Sequence, residues 1–123
     1  MNEEASIRKG DLVRIHDSVL KRYDITPPRK HADFYGLRKL TVPEINEWYS
    51  KHGGLGSDGE PRIAPRTRTV ILDTDGVYIV SRARVRCPEG QRTTGWCEVI
   101  DPRKGLLLNV KRSYLQTFKE NGE

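Results

Sequence analysis

The sequence predicts a mainly β, antiparallel fold that carries one helix. Short apolar runs that alternate with polar residues recur after residue 69, and clusters of Gly, Pro and Asp separate them. A further strand-like run, GDLVRI, stands at 10–15. Between these two parts, residues 41–54 show the periodicity of an amphipathic helix. Because strands joined by short turns pair in opposite directions, the class is antiparallel.

The first forty residues predict one strand and little other regular structure. Residues 12–15 form the strand, in which Val13 and Ile15 share a face. The run DSVLKRYD at 17–24 predicts a single helical turn. Two consecutive prolines, at 27–28, then hold the basic loop PPRKH extended, because the residue before a proline avoids helical backbone angles.

The clearest helix is predicted over residues 42–52. Thr41 and Glu44 have the spacing of a capping box, and Gly53 supplies the stop. The apolar stripe of this helix consists of Ile45, Trp48 and Tyr49. Because about three turns are not stable alone in water, the stripe must pack on another surface. The stretch 53–68 follows as a long loop, and loops of this length are usually functional or disordered.

The stretch 69–87 predicts a β-hairpin with its turn at 73–76 and a long second strand over 77–87. Alternation divides the long strand into two faces. The predicted core face holds Val77, Ile79, Ser81, Ala83, Val85 and Cys87, and the predicted outward face holds Tyr78, Val80, Arg82, Arg84 and Arg86. Two more strands, at 96–100 and 106–112, precede a short closing turn.

Basic residues are unevenly distributed along the 123-residue chain, whose net charge is +5. Residues 1–60 carry as many acidic as basic residues, so the whole surplus lies in 61–123. Such asymmetry indicates a basic face, which either attracts polyanions or only keeps the protein in solution. The hydrophobic share of 35% is low, but the apolar residues are clustered, which favours a folded domain over disorder.

Two cysteines, Cys87 and Cys97, are too few for a disulfide scaffold. The three histidines show no paired ligand spacing, so we predict no metal and no cofactor. The cysteines are expected to be small buried side chains. One loop joins the strands that carry them, so we expect them to be near neighbours; whether they form a bridge stays open.

No catalytic frame is recognisable in the sequence, which lacks G-x-S-x-G, H-E-x-x-H and a P-loop. The glycine-rich run GGLGSDGE follows a predicted helix, whereas a phosphate cradle feeds the start of one. We therefore expect a binding protein and not an enzyme. No apolar run approaches the roughly 18 residues of a membrane span, and the acidic N-terminus has no signal region. These features predict a cytoplasmic protein or a virion component, without a membrane partner.

Three segments give the chain a family resemblance: GDLVRI at 10–15, GVYIV at 76–80 and VKRSYL at 110–115. Together they resemble the small five-stranded barrels of the Src-homology, KOW and Tudor type, and small uncharacterised phage and bacterial proteins open similarly. The resemblance implies a single domain, 1–123, whose antiparallel five-stranded barrel uses 8–16 and 69–118. Residues 17–68, with the helix at about 42–52, would be a long insertion after the first strand.

Proteins of these families mostly associate with the ribosome or RNA polymerase, bind modified side chains or bind proline-rich peptides, and the fold does not choose among these functions. The residues favour a polyanion, either nucleic acid or a nucleoprotein complex. Arg82, Arg84 and Arg86 would project from one strand face about 7 Å apart, close to the spacing of phosphates. The predicted nucleic-acid-binding set adds Arg66, Arg68 and Arg92 as further cations, with Tyr78 and Trp96 as rings for base stacking.

Two other interpretations of this strand stay open. The arginines are also what a water-facing sheet surface commonly carries, with Glu98 neutralising part of the charge, or they recognise an acidic protein surface. A separate hypothesis concerns the helix, where Trp48 and Tyr49 would anchor a protein partner and make the chain an adaptor or a virion component. The alternative for the helix is that its apolar stripe covers an open end of the barrel.

Overall fold

The structure is a computed structural model that describes residues 7–86 and 95–117. In these residues one antiparallel sheet contains seven strands, and two α-helices accompany it. The strands are β1 (Leu12–Ile15), β2 (Tyr35–Lys39), β3 (Thr67–Ile71), β4 (Tyr78–Val85), β5 (Trp96–Asp101), β6 (Leu106–Lys111) and β7 (Leu115–Thr117). The helices are α1 (Asp17–Arg22) and α2 (Val42–His52). The strand order across the sheet is β3-β2-β6-β5-β4-β1-β7.

The mainly β antiparallel class and the helix at 42–52 are confirmed. The five-stranded barrel is wrong, and so is the expectation of one helix, because α1 is a second helix in the stretch where only a single helical turn was predicted. Among the described strands, β3 and β7 form the two edges of an open sheet and do not pair with each other. The stretch 17–68 supplies β2, which pairs with β6 and β3 in the sheet. Gly36 obscures this strand in the sequence, yet a Cβ there would lie 3.1 Å from Leu108 Cβ, so glycine allows the close approach of β2 to β6.

The hairpin predicted over 69–87 is also wrong. β3 pairs with β2, whereas β4 pairs with β5 and β1, so the chain crosses from one sheet edge to the interior between them. The predicted turn at 73–76 is present, and Gly76 N–H donates to the Asp73 carbonyl at 3.0 Å. Asp73 fixes this crossing, because its carboxylate pairs with Lys30 at 3.3 Å and Arg103 at 3.0 Å.

The main core lies against one face of the sheet. Strand residues at alternate positions meet α1 and Phe34 there, and the fully buried side chains are Val13, Ile15, Phe34, Leu72, Tyr78, Val80, Cys97, Val99, Leu108, Val110 and Leu115. A smaller apolar cluster of Leu37 and Trp96, with Tyr35 and Val85 packed against it, covers part of the opposite face. Both faces of the middle strands are therefore partly covered.

Tyr78 and Val80 were predicted to face outward with the arginines, and this prediction is wrong. Both side chains are buried in the main core, each 1% exposed. The pairing of β4 with β5 shifts register between Val80 and Arg82. A β-bulge inserts an extra residue, which reverses the inward and outward alternation on its far side. Simple alternation cannot reveal this shift, because it assumes one unbroken strand.

Tyr78→Phe is expected to weaken the dependence of stability on alkaline pH. Burial raises the pKa of Tyr78 to about 12. A raised pKa stabilises the fold below the unfolded pKa near 10, and about 1–2 kcal/mol is lost as pH rises from there toward about 12. Burial also raises the pKa of Cys97 to about 12, so a residual loss in the same direction remains in the variant.

Urea unfolding of wild type and Tyr78→Phe at about pH 8 and at pH values above about 10 measures this difference. Tyr49, which is 44% exposed, gives the matched control Tyr49→Phe, which removes a phenol hydroxyl outside the main core. Identical alkaline slopes for Tyr78→Phe and wild type would contradict the buried placement of this phenol.

Glu44 connects α2 to strands β2 and β3 of the sheet through charged contacts. The capping box of α2 is complete, with Thr41 Oγ1 accepting from Glu44 N–H and Glu44 Oε1 accepting from Thr41 N–H at 2.9 Å. The Glu44 carboxylate also takes two 2.8 Å hydrogen bonds from Arg38 of β2 and lies 3.2 Å from Arg68 of β3. No residue of α2 is buried.

In the part of the chain that the structure describes, no helix has the length and apolarity to cross a membrane.

Glu44→Gln is expected to loosen α2 and lower the Tm at neutral pH. Hydrogen bonds from Arg38, followed by the Thr41 N–H, hold the pKa of the Glu44 carboxyl well below its usual range. A lowered pKa stabilises the fold above the ordinary value near 4.5, and this contribution is lost as pH falls below it. Acidification should therefore cost the variant less stability than it costs wild type.

Thermal unfolding at about pH 7 and about pH 3 tests this expectation. Glu47→Gln is the matched control, since Glu47 pairs with Lys51 on the exposed side of the same helix and should contribute little. An unchanged Tm for Glu44→Gln at neutral pH would show that the carboxylate does not hold α2 in place.

Candidate nucleic-acid interface

The three arginines of SRARVR project from the end of β4. Arg82, Arg84 and Arg86 are all exposed, and in the part of the chain that the structure describes none of them forms an ion pair. Glu98 is the register partner of Arg82. Its Oε1 nevertheless accepts a hydrogen bond from Ser81 Oγ at 2.7 Å, so its carboxylate is turned to the serine and not paired with the arginine.

The strand that carries the arginines is not one unbroken strand, as the prediction of an evenly spaced row assumed. β4 shifts register a second time, between Arg82 and Val85. Arg82 opposes Glu98 and Val85 opposes Trp96, so a step of three residues on β4 matches a step of two on β5. The extra residue interrupts the row after Arg82. The result is an exposed basic strand end, which is less regular than a flat stripe.

Lys111, the last residue of β6, lies among three aromatic rings beside this strand end. Its Nζ is 5.5 Å from the ring centroid of Tyr114, 5.7 Å from that of Tyr35 and 5.9 Å from that of Trp96. The register explains the arrangement, because Lys111 pairs with Trp96 and Trp96 pairs with Val85. The electron-rich ring faces attract the ammonium group and keep it at this end of the sheet.

A second group of rings continues from Tyr114. Its ring centroid is 5.7 Å from that of Phe34, which in turn lies 5.1 Å from Tyr23 and 5.5 Å from His31. Phe34 is fully buried, whereas Tyr23 is 38% exposed and His31 is half-buried. The buried ring therefore supports partly exposed ones, which extend aromatic surface away from Lys111.

The two aromatic residues predicted to stack on bases do not present open ring faces. Tyr78 lies in the main core, and its hydroxyl accepts a hydrogen bond from Asp73 N–H at 3.0 Å. Trp96 is only 6% exposed and packs with Leu37. Stacking needs a free ring face. Both residues therefore act here as packing residues, although Trp96 does lie at the predicted site.

The other predicted cations are not brought to this strand end. Arg66 and Arg68 are exposed, but Arg68 belongs to β3, four strand spacings from β4, or about 19 Å measured along the sheet. Arg68 is also engaged by Glu44. Arg92 lies outside the described residues. The predicted basic patch is thus reduced to the three arginines of β4, and Lys111 adds a fourth cation.

The predicted partner anchors on α2 are partly exposed. Trp48 is half-buried and Tyr49 is 44% exposed, and their rings meet edge to face at 5.1 Å. The Tyr49 hydroxyl accepts a hydrogen bond from Ala64 N–H at 3.3 Å, which ties the following loop to the helix. Because no residue of α2 is buried, the helix does not close off an end of the main core.

Sequence reasoning missed Lys111, Tyr35 and Tyr114. Lys111 and Tyr114 are three residues apart in VKRSYL, so their proximity carries a weak local signal. Tyr35 has no such signal, because it meets Lys111 only when β2 pairs with β6. A prediction of β2 as a sheet strand would have been needed to find it.

Within the described residues no group of three His, Cys, Asp or Glu side chains lies close enough to hold a metal ion. Cys97 is fully buried, as predicted, and carries a free thiol. Burial holds that thiol protonated at neutral pH, which makes it a poor nucleophile. Cys87, and with it the predicted proximity of the two cysteines, lies outside the described residues.

Comparison with protein-family models, with curated protein sequences and with solved structures gave no match.

Proposed function

We propose that the protein is a binding module that holds nucleic acid across the basic end of β4 and the adjoining Lys111 cluster. One observation carries the proposal: Arg82, Arg84 and Arg86 are exposed without an ion-pair partner in the described chain, although Glu98 stands opposite Arg82. Arginine guanidinium groups bind phosphate oxygens through paired hydrogen bonds. A polyanion would supply counter-charges that these arginines do not find among the described residues.

The neighbouring rings support single-stranded nucleic acid over a plain anion. Tyr35 and Tyr114 are half-buried, and each ring centroid lies within 5.7 Å of Lys111 Nζ, so each shows part of its ring next to a cation. Such pairs of cation and ring suit a backbone phosphate with a neighbouring base. The contribution of the rings is expected to be smaller than that of the arginines, because their faces are only partly open.

A salt series of oligonucleotide binding tests the proposal. Fluorescence anisotropy with a uridine RNA of about twelve nucleotides should show binding that weakens steeply with salt. With three to four phosphate contacts, the slope of log affinity against log salt should be about −2 to −3 for a single strand. Undetectable binding at about 50 mM salt, or an affinity that does not change with salt concentration, would contradict the nucleic-acid function.

A second candidate function, a protein adaptor, is favoured by one separate observation. Large apolar side chains are well exposed on α2 and the loop that follows it, namely Val42 (69%), Tyr49 (44%), Leu55 (69%) and Ile63 (80%). Exposed apolar side chains that cluster in one region mark sites of protein association. Sedimentation velocity compares wild type with the triple variant Val42→Ser, Leu55→Ser, Ile63→Ser. Association through this region predicts a larger sedimentation coefficient for wild type than for the variant, and equal coefficients would contradict it.

A further inference from the structure

A recess of about 350 Å³ opens on the sheet face that lies opposite the main core. It is bounded by β2, β5 and β6 and by the start of α2, and its lining residues are Arg38, Lys39, Thr41, Glu98, Gly105, Leu106, Leu107 and Asn109. The recess lies next to the proposed interface, because Glu98 is the register partner of Arg82. A volume of this size admits one base or another small planar group.

Asn109 contributes a hydrogen-bonding amide group to this recess. Its side chain is only 8% exposed, yet no described residue accepts or donates a hydrogen bond with its amide group. Its amide atoms are not among the fully buried polar atoms that lack a partner in the described chain, so they stay accessible from the recess. Because Asn109 lines the recess, a bound acceptor can take a hydrogen bond from its NH₂.

Glu98 stands directly beside Asn109, since the two are register partners on β5 and β6. Side chains at such opposed positions lie about 5 Å apart at their Cβ atoms. One carboxylate oxygen of Glu98 accepts from Ser81, and the other has no hydrogen bond within the described chain. The recess therefore offers a carboxylate acceptor and an amide at neighbouring positions.

We propose that this recess holds a guanine base of the bound single strand, an inference that rests on the proposed function. Guanine alone among the four RNA bases presents two adjacent N–H donors, N1–H and N2–H₂, beside an acceptor, O6. The donors match the Glu98 carboxylate, and O6 accepts from the Asn109 NH₂. The side chain of Leu107, 52% exposed, covers one face of the base.

The other bases fit this pair of groups less well. Adenine and cytosine each set a ring-nitrogen acceptor beside their single amino group, so that acceptor would face a carboxylate oxygen. Uracil places two carbonyl oxygens on either side of one N–H, with the same unfavourable result.

Arg82, the register partner of Glu98, is one strand spacing away from it. Arg82 can therefore reach a phosphate of the same nucleotide or its neighbour.

Nuclear magnetic resonance tests the recess without depending on the arginines. Millimolar 5′-GMP should shift the side-chain NH₂ resonances of Asn109, whereas AMP and UMP should leave them in place. The affinity of Glu98→Gln for GMP, measured from the same resonances, should be at least about tenfold lower than that of wild type. The reason is that the glutamine amide replaces one acceptor with a donor. The matched control Glu60→Gln, exposed and outside the recess, should respond as wild type does. An Asn109 amide unmoved by GMP, or moved equally by AMP, would overturn the guanine assignment.

Oligonucleotide binding separates this inference from the proposed function. A uridine RNA of about twelve nucleotides with one central guanosine should bind about tenfold more tightly than all-uridine RNA, and Glu98→Gln should remove the difference. Salt-dependent binding without this preference overturns the recess assignment and leaves the phosphate interface. A GMP response without oligonucleotide binding overturns the phosphate interface and leaves the recess only as a site for a free guanine nucleotide.

Discussion

The triple variant Arg82→Gln, Arg84→Gln, Arg86→Gln should lose most of the salt-dependent affinity for single-stranded RNA. Each arginine that contacts a phosphate contributes about −0.7 to the salt slope, so the slope should become shallower by about 2. Between about 50 and about 200 mM salt, wild-type affinity should therefore fall about 20-fold more than that of the variant. Fold stability should change little, because all three side chains are exposed and lack partners among the described residues.

A second triple variant with the same loss of charge controls for the general electrostatic attraction. Arg22→Gln, Arg62→Gln, Arg66→Gln removes three exposed arginines that lie elsewhere on the protein. A local phosphate interface predicts that this variant keeps nearly the wild-type slope. Equal losses of affinity in the two triple variants would mean that net charge, and not the end of β4, attracts the RNA.

Trp96→Ala should destabilise the protein by about 3–5 kcal/mol, the usual cost of removing a buried aromatic side chain. Trp96 packs with Leu37, Tyr35 and Val85, and its ring also faces the Lys111 ammonium. The loss follows from an emptied cluster that no other side chain fills. Urea unfolding monitored by far-ultraviolet circular dichroism measures the change in the free energy of unfolding.

Trp96→Phe separates packing from base stacking at this position. The smaller ring retains most of the apolar contact, so stability should fall much less than in Trp96→Ala. RNA affinity of the folded variant should stay close to wild type, because the indole is buried and offers no open face. A large loss of affinity in a stable Trp96→Phe protein would instead restore the stacking role expected from the sequence.

Elements that depend on local signals were predictable from the sequence. The capping box, the stop at Gly53 and the apolar stripe together gave the bounds of α2. The alternation of Val13 and Ile15 correctly placed two core residues in β1. These signals are local because a helix cap and a strand face are decided within a few neighbouring residues.

Features that depend on distant pairing were not predictable. β2 is short and contains Gly36 and two cations, and only its fit against β6 shows that it belongs in the sheet. The register shifts in β4 likewise arise from the pairing with β5 and leave no mark in the run SRARVR. Sheet topology is therefore the point at which the expected five-stranded barrel fails, because β propensity depends on context.

Only the part of the candidate site that depends on local sequence could be predicted. Exposure of Arg82, Arg84 and Arg86 followed from charge, since unpaired arginine side chains are rarely buried. The cluster around Lys111 and the open amide of Asn109 follow from neighbours on other strands. No pattern within one strand marks Asn109, which sits between leucine and valine in an apolar run.

Backbone amide chemical shifts during RNA titration test the central claim most directly, because they locate the contact surface on the folded protein. Uridine RNA should shift amides at Arg82, Arg84, Glu98 and Lys111 and leave the α2 amides unchanged. Shifts confined to α2 and the loop around Ile63, or no shifts at low salt, would contradict a nucleic-acid interface at the end of β4.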